Sequence, residues 1–303
     1  MTAARPMPVV LLHALALDSS MWSAQAAALR RRGHHVLVPD QRGFGRSPLG
    51  GTGAPSHTHA HPAPSLDVVA DDLARLLDEQ GVDRFGLAGC SMGGYVAMAF
   101  LRRHPGRVRA LALLSTKAGP DPDAARADRE KFARLVTDPG TGPGLVEATT
   151  PLLVGATSRG RSGLVARLLS DARAAPPASL AWAQRAIAAR PDSLPLLRST
   201  DIPALVIAGA EDELVPLPEA RSMARALPQG RLLTVPEAGH LPPLEAPEVI
   251  SEALAALFAA PAPSPVVTPA TPAGQVTEPT DPPEPTESTE PPEPATPGSH
   301  HAH

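Results

Sequence analysis

One serine in this chain stands where it can become a nucleophile. Residues 86–100 read GLAGCSMGGYVAMAF, so Ser91 is the centre of Gly89-Cys90-Ser91-Met92-Gly93, directly after a predicted strand and directly before a predicted helix. A turn that tight forces its central residue into a strained conformation, and small residues two positions away on each side let neighbouring backbone approach. Ser91 is thereby raised at the carboxyl end of a strand, where open α/β sheets bind ligands. A serine hydroxyl is a poor nucleophile unless a base takes its proton and an acid orients that base. The stretch LVIAGAEDELVP places Asp212 just past a predicted strand ending near Gly209, and LLTVPEAGHLPPLEAPE places His240 in the loop after the last predicted strand. Glu211 and Glu213 flank the acid and are alternatives to it. Cys90 is one place off the apex and is expected to pack below the turn rather than attack.

Those three residues need a scaffold that delivers them to one edge. Short β-rich runs alternate with amphipathic stretches, the pattern of a parallel sheet with crossover helices. Strands are predicted at 8–13, 35–39, 84–90, 108–114, 203–209 and 231–235. Helices are predicted near 19–32, 66–80, 92–104, 217–227 and 246–259, where Leu66, Val69, Ala70, Leu73, Leu76 and Leu77 fall at helical spacing. The alternation breaks between about 117 and 200, an Ala-, Arg- and Leu-rich interval with no convincing strand. The expected organisation is therefore a core of residues 1–116 and 201–260, a small helical lid inserted at 117–200, and a tail at 261–303. That tail is Pro-, Thr- and Glu-rich, lacks Lys and Arg, and has too few large apolar side chains to fold, so it is expected to be disordered. What partner it has, if any, the sequence leaves open.

Composition narrows the classes. The 303 residues carry 27 basic and 31 acidic side chains, a formal net charge of -4, and no cluster of Lys and Arg with interleaved aromatics, so nucleic acid is not an expected partner. No apolar run reaches the ~18 residues of a membrane span. With Cys90 as the one cysteine there is no disulfide within the chain and no thiolate metal site. His57, His59 and His61 alternate in PLGGTGAPSHTHAHPAP, where a strand would put them on one face, but among Gly, Pro and Ser they read as a surface loop. His300, His301 and His303 read as incidental tail residues. No metal and no organic cofactor is expected.

At these residues the chain resembles an α/β-hydrolase from about residue 8 to 259. The order Ser, Asp, His is the order of that family. PDQRGFGRS (39–47) looks like its D-x-R-G-x-G-x-S turn, and HPGRVRALALLS like its helix-to-strand passage. LLHALALDSSMW is similar to the H-G-x-x-x-D-S-x-x-W stretch of the lactonase, esterase and cofactor-free haloperoxidase branch, and AARADREKFARLV and RAIAARPDSLPLL look like the lid of relatives of 3-oxoadipate enol-lactonases. The resemblance implies a serine hydrolase of carboxylic esters or lactones, with Ser91 attacking, His240 moving the proton and Asp212 orienting it. It also implies an oxyanion hole made by the backbone N–H groups of Leu15 and Met92, with His13 bracing the loop that carries Leu15.

PVVLLHALALDSS (8–20) also reads as the start of a secretory signal peptide, with Arg5 ahead of an apolar run and Ala14-Leu15-Ala16 as a cleavage site. Cleavage there would remove an inner strand and half of the oxyanion hole, so an uncleaved, cytoplasmic protein is expected. Two departures from the family stand out. Ala14 occupies the usual glycine position. The chain also begins almost at the family's third strand, leaving no room for the usual first antiparallel pair, so either the fold is pared down or the start is truncated, and strand 35–39 becomes a sheet edge. The rival activity on the same triad is perhydrolase or cofactor-free haloperoxidase chemistry, with peroxide in place of water. The rival class is a non-catalytic ligand receptor. A serine at the elbow argues against dehalogenation, and a lid without tyrosine (Tyr95 lies in the elbow helix) argues against epoxide opening. Lys117, Arg126, Arg129 and Trp182 are the lid residues that bear on what enters. The positive ones either meet a substrate carboxylate or form a solvated helix face.

Overall fold

The computed structural model describes residues 6–50 and 62–259. His57, His59, His61 and the whole of the stretch 261–303 lie outside the described residues. Six strands form one sheet in the order β2-β1-β3-β4-β5-β6: β1 Val9–Leu12, β2 Val36–Leu37, β3 Phe85–Cys90, β4 Val108–Leu114, β5 Ala204–Gly209 and β6 Gly230–Val235. Every pairing is parallel. β1, β3 and β5 are buried along their whole length, as strands covered on both faces should be, and their near-continuous apolar runs follow from that.

Alternation along the strands divides the core in two. Val10, Leu12, Leu87, Leu111 and Leu113 pack with α2 (Leu66–Glu79) and α3 (Met92–Arg103) on one face. Val9, Leu11, Ala112, Leu114 and Ile207 pack with α1 (Ser23–Arg31) and the last helix on the other. The first turn of α2 is capped by Ser65, whose hydroxyl accepts the Asp67 N–H at 3.1 Å, and its buried stripe is the one that its spacing predicts, with Leu76 at the half-buried margin.

After β4 the chain makes α4 (Asp123–Val136), α5 (Gly142–Thr149), a 3-10 turn (Thr150–Leu153), α6 (Ala156–Arg159), α7 (Ser162–Ala174), α8 (Pro177–Ala188) and α9 (Leu194–Arg198) before β5. It returns through α10 (Leu217–Ala226), β6, α11 (Pro242–Glu245) and α12 (Pro247–Ala259). No described helix is long and apolar enough to cross a membrane.

β1 is flanked by β2 on one side and β3 on the other, so the strand order reverses there, and a crevice opens beyond the carboxyl ends of β1 and β3. The predicted edge strand 35–39 pairs over Val36 and Leu37 only. Pro39 has no N–H to extend a ladder. An edge this short offers little backbone for unwanted pairing.

Candidate active site

Ser91 follows β3 with φ 53° and ψ -113°, a left-handed backbone that costs a non-glycine residue about 1–3 kcal/mol. The glycines around it are required by close approach. A β-carbon at Gly89 would overlap the Gly93 carbonyl, and one at Gly93 would overlap the Leu12 carbonyl, so β1, β3 and α3 meet more closely than side chains permit. The Ser91 N–H donates to the Leu114 carbonyl at 2.8 Å, tying the turn to β4.

Held in this way, Ser91 Oγ lies 2.8 Å from His240 Nε2. On the far side of the ring Nδ1 lies 3.0 and 3.1 Å from the two carboxylate oxygens of Asp212. A carboxylate only accepts, so Nδ1 carries the proton and the Nε2 lone pair faces the serine hydroxyl, which donates to it. Both partners are out of solvent, with side-chain exposures of 5% for His240 and 1% for Asp212. Burial pushes the Asp212 carboxyl up. The His240 hydrogen bond and charge and the N–H groups of Val215 and Leu214 outweigh it, so the group sits below its ordinary value and stays ionised.

Of the three acidic residues 211–213, Asp212 reaches the ring. Glu211 accepts from the N–H and hydroxyl of Thr157 at 2.8 and 2.7 Å, and Glu213 pairs with Arg159 at 2.9 Å. The residue that sequence reasoning missed is Glu245. Its Oε2 accepts the N–H groups of Gly239 (2.8 Å) and Gly155 (2.9 Å), and its Oε1 accepts the N–H of Leu241 (3.0 Å). The backbone on both sides of His240 thus hangs on one buried carboxylate, which also ties in the start of α6. A lone acid in LPPLEAP was the available signal, since an ionised side chain in an apolar stretch needs a reason to be there.

The loop after β1 is pinned by His13. Its Nε2 accepts the Gln41 N–H at 2.9 Å, so Nδ1 carries the proton and donates to the Ala14 carbonyl at 2.9 Å, while the His13 carbonyl accepts Gln41 Nε2 at 2.7 Å. Burial lowers the His13 pKa against weaker opposing contacts, keeping the ring neutral. Ala14 takes no left-handed backbone. The positive φ falls instead on Ala16, at 66°, and this is how the loop accepts a β-carbon at the family's glycine position. Ala14 is buried, and its N–H points at Met21 Sδ, 3.2 Å away. Among the described residues the N–H groups of Leu15 and Met92 have no backbone acceptor. Met92 opens α3, where N–H groups are unpaired and the helix dipole is positive.

A cavity of about 340 Å³ lies over Ser91 and His240, with Ala14, Leu15 and Ala16 along one side and Phe132, Leu180 and Ile187 from the inserted helices on the other. Lys117 and Arg129 line it. Arg126 is instead paired with Asp123 at the surface, and Trp182 is core, its indole N–H donating to the Pro62 carbonyl at 2.8 Å. Cys90 packs beneath the turn with Sγ 3.8 Å from the His240 carbonyl, and burial, with the charges of Asp212 and Glu245, pushes its thiol up and away from the reactive thiolate. Among the described residues no three His, Cys, Asp or Glu side chains are grouped to hold a metal ion.

Comparison with known proteins adds a family to this geometry. The profile described as alpha/beta hydrolase fold matches residues 7–247. A Pseudomonas savastanoi pv. phaseolicola protein provisionally named carbamate hydrolase RutD is 31% identical over 237 residues, covering 77% of this chain and 86% of its own length. A thermophilic esterase from Thermogutta terrifontis, solved with malate bound, superposes with a TM-score of 0.73 at 36% identity, over 83% of this chain and 89% of that one. The enol-lactonase from Burkholderia xenovorans superposes with a TM-score of 0.73 at 26% identity, over 86% and 94% of the two chains.

Proposed function

Because the chain belongs to the alpha/beta hydrolase fold family, we propose that it hydrolyses a carboxylic ester or lactone through an acyl-enzyme on Ser91. The observation that carries this reading is the continuous relay from Ser91 Oγ to His240 Nε2 at 2.8 Å and from His240 Nδ1 to Asp212 at 3.0 Å, at the floor of the cavity. Ser91 Oγ attacks the carbonyl carbon while its proton passes to Nε2. The resulting oxyanion accepts from the N–H groups of Leu15 and Met92. Collapse of the tetrahedral intermediate breaks the bond to the leaving oxygen, which takes the proton back from His240. Water then repeats the sequence on the acyl-enzyme, giving up its proton to His240 and releasing the acid and free Ser91. Asp212 stays ionised throughout and stabilises the imidazolium.

Residues 117–200 act as the lid on this reading, shielding the acyl-enzyme from bulk water and shaping the acyl pocket. The names of the relatives fit: carbamate, ester and enol-lactone all present an acyl carbon joined to a heteroatom. The test is a panel of short esters, lactones and an enol-lactone assayed with wild type and Ser91→Ala, with peroxide-dependent halogenation run alongside to separate water from peroxide as acyl acceptor. Turnover of at least one ester or lactone by wild type and its loss in the alanine variant is expected. Ligand binding without turnover of any panel member would favour a receptor instead.

A further inference from the structure

Three acidic residues stand in a row after β5, and the middle one, Asp212, reaches the histidine. Its neighbours reach the inserted helices. Glu211 accepts the N–H and the hydroxyl of Thr157 at 2.8 and 2.7 Å, and Glu213 Oε2 lies 2.9 Å from Arg159 Nη2, so both flanks of Asp212 are tied to the single turn of α6. The histidine loop is tied to the same place. Arg161 Nη1 donates to the Glu245 carbonyl at 2.7 Å, and the Glu245 carboxylate accepts from Gly155 and Gly239 together.

Three backbones meet at this point more closely than side chains permit. A β-carbon at Gly209 would overlap the carbonyls of Ala238 and Gly239, one at Gly239 would overlap Val154 and Gly155, and one at Gly155 would overlap the Glu211 side chain. Gly155 has φ -64° and ψ 161°, a backbone that any residue adopts, so space and not conformation calls for glycine there. The Glu211 N–H donates to the Ala238 carbonyl at 2.8 Å and closes the junction. The insertion thus enters where the acid loop and the histidine loop touch, against Glu211 next to Asp212 and against Gly239 next to His240. Thr150, Leu152 and Leu153, just before this point, line the cavity, whereas Gly155, Thr157 and Glu211 do not. In a relay of catalytic hydrogen bonds a misplacement of ~1 Å can cost about 10² in rate, so what fixes these two loops against each other matters to the chemistry without touching substrate.

We infer that Gly155, Thr157 and Glu211 are positioning residues for the triad, so that the inserted helices set the geometry between Asp212 and His240 as well as cover the cavity. This rests on the hydrolase reading of the same site.

The test uses the full chain as wild type, Glu211→Ala, Glu211→Gln, Gly155→Ala and, as a control, Arg173→Gln, which breaks an ion pair with Glu147 elsewhere in the insertion. Each is measured by its kinetics on 4-nitrophenyl butyrate, by its melting curve, and by the downfield proton resonance of His240 Nδ1–H in its bond to Asp212. Glu211→Ala leaves Thr157 without its acceptor, and Gly155→Ala adds a methyl group outside the cavity. Each should lower kcat about 10-fold with KM within about twofold of wild type, and should shift or broaden that resonance. Glu211→Gln can still accept the Thr157 N–H and donate to its hydroxyl, so it should recover most of the loss. Arg173→Gln should match wild type in every reading. If Gly155→Ala does not fold, the two Glu211 variants decide. Wild-type kcat and an unmoved resonance in folded Glu211→Ala overturn the inference, as does a loss shared equally by Arg173→Gln or carried by KM alone. If wild type cleaves no ester the hydrolase reading falls, and the resonance still reports whether these residues hold Asp212 against His240.

Discussion

Ser91→Ala removes one oxygen from a turn whose shape is set by Gly89, Gly93 and the Leu114 carbonyl, so the variant should fold with an unchanged melting curve. Its kcat for any ester that wild type cleaves should fall by roughly 10⁴ or more, because a triad lacking a member retains only oxyanion stabilisation and binding. Leu15 separates backbone from side chain. Leu15→Ala keeps the N–H and should change kcat little beyond substrate packing, whereas Leu15→Pro deletes it and should cost about 10² to 10³ in kcat if melting curves match. A well-folded proline variant as fast as the alanine variant would remove Leu15 from the oxyanion hole. Ser91, Asp212 and His240 could be picked out because each follows a recognisable strand, and in an all-parallel sheet the carboxyl ends of the strands lie along one edge. Glu245 was not, since its partners are backbone N–H groups of Gly155, Gly239 and Leu241, and no residue pattern marks a backbone donor in need of an acceptor.

At the scale of elements, the loop that carries His240 depends on that one carboxylate. Glu245→Ala leaves three N–H groups without their acceptor and should destabilise the fold by roughly 3 kcal/mol, read from urea midpoints. It should also lower kcat by loosening the imidazole, while Glu245→Gln, which retains one acceptor oxygen, should fall between. A Glu245→Ala protein with wild-type stability and kcat would contradict this role. The strands and core helices were readable to within a residue or two because buried two-faced strands and the α2 stripe have strong periodic signals. β2 is the exception, cut to two residues by Pro39. Within 117–200 the sequence gives helical character but not the division into α4–α9, whose short lengths and Pro and Gly boundaries carry too little periodicity to count.

The whole molecule should be sensitive to acid in a definable way. Burial raises the Asp40 carboxyl, but hydrogen bonds from the Arg46 backbone and from Ser19 bring it down to about 2, and Gly45 is glycine partly because a β-carbon there would overlap that carboxylate. Asp121 and Asp212 are likewise held below their ordinary values despite burial, by Arg190 and Arg129 and by His240. A depressed folded value means the stabilisation is complete above the unfolded value near 3.8 and is lost as pH falls towards 2. Urea midpoints should therefore be level from pH 7 to 5 and drop below pH 4, with a shallower drop in Asp40→Asn. A midpoint that stays flat to pH 2.5 would refute the assignment. The composition of 261–303 yields a separate expectation: truncation after Ala260 should leave kcat/KM and Tm unchanged, and a marked fall in either would mean that the tail docks on the domain.

An acyl-enzyme on Ser91 is detected by rapid quenching of wild-type protein with a 4-nitrophenyl ester, followed by intact-mass measurement and fragmentation of the peptide that holds both Cys90 and Ser91. One acyl group per chain is expected, appearing with the nitrophenolate burst, localised to Ser91 and absent in Ser91→Ala. Acylation of Cys90 or of any other residue, or full ester turnover by Ser91→Ala, would contradict it.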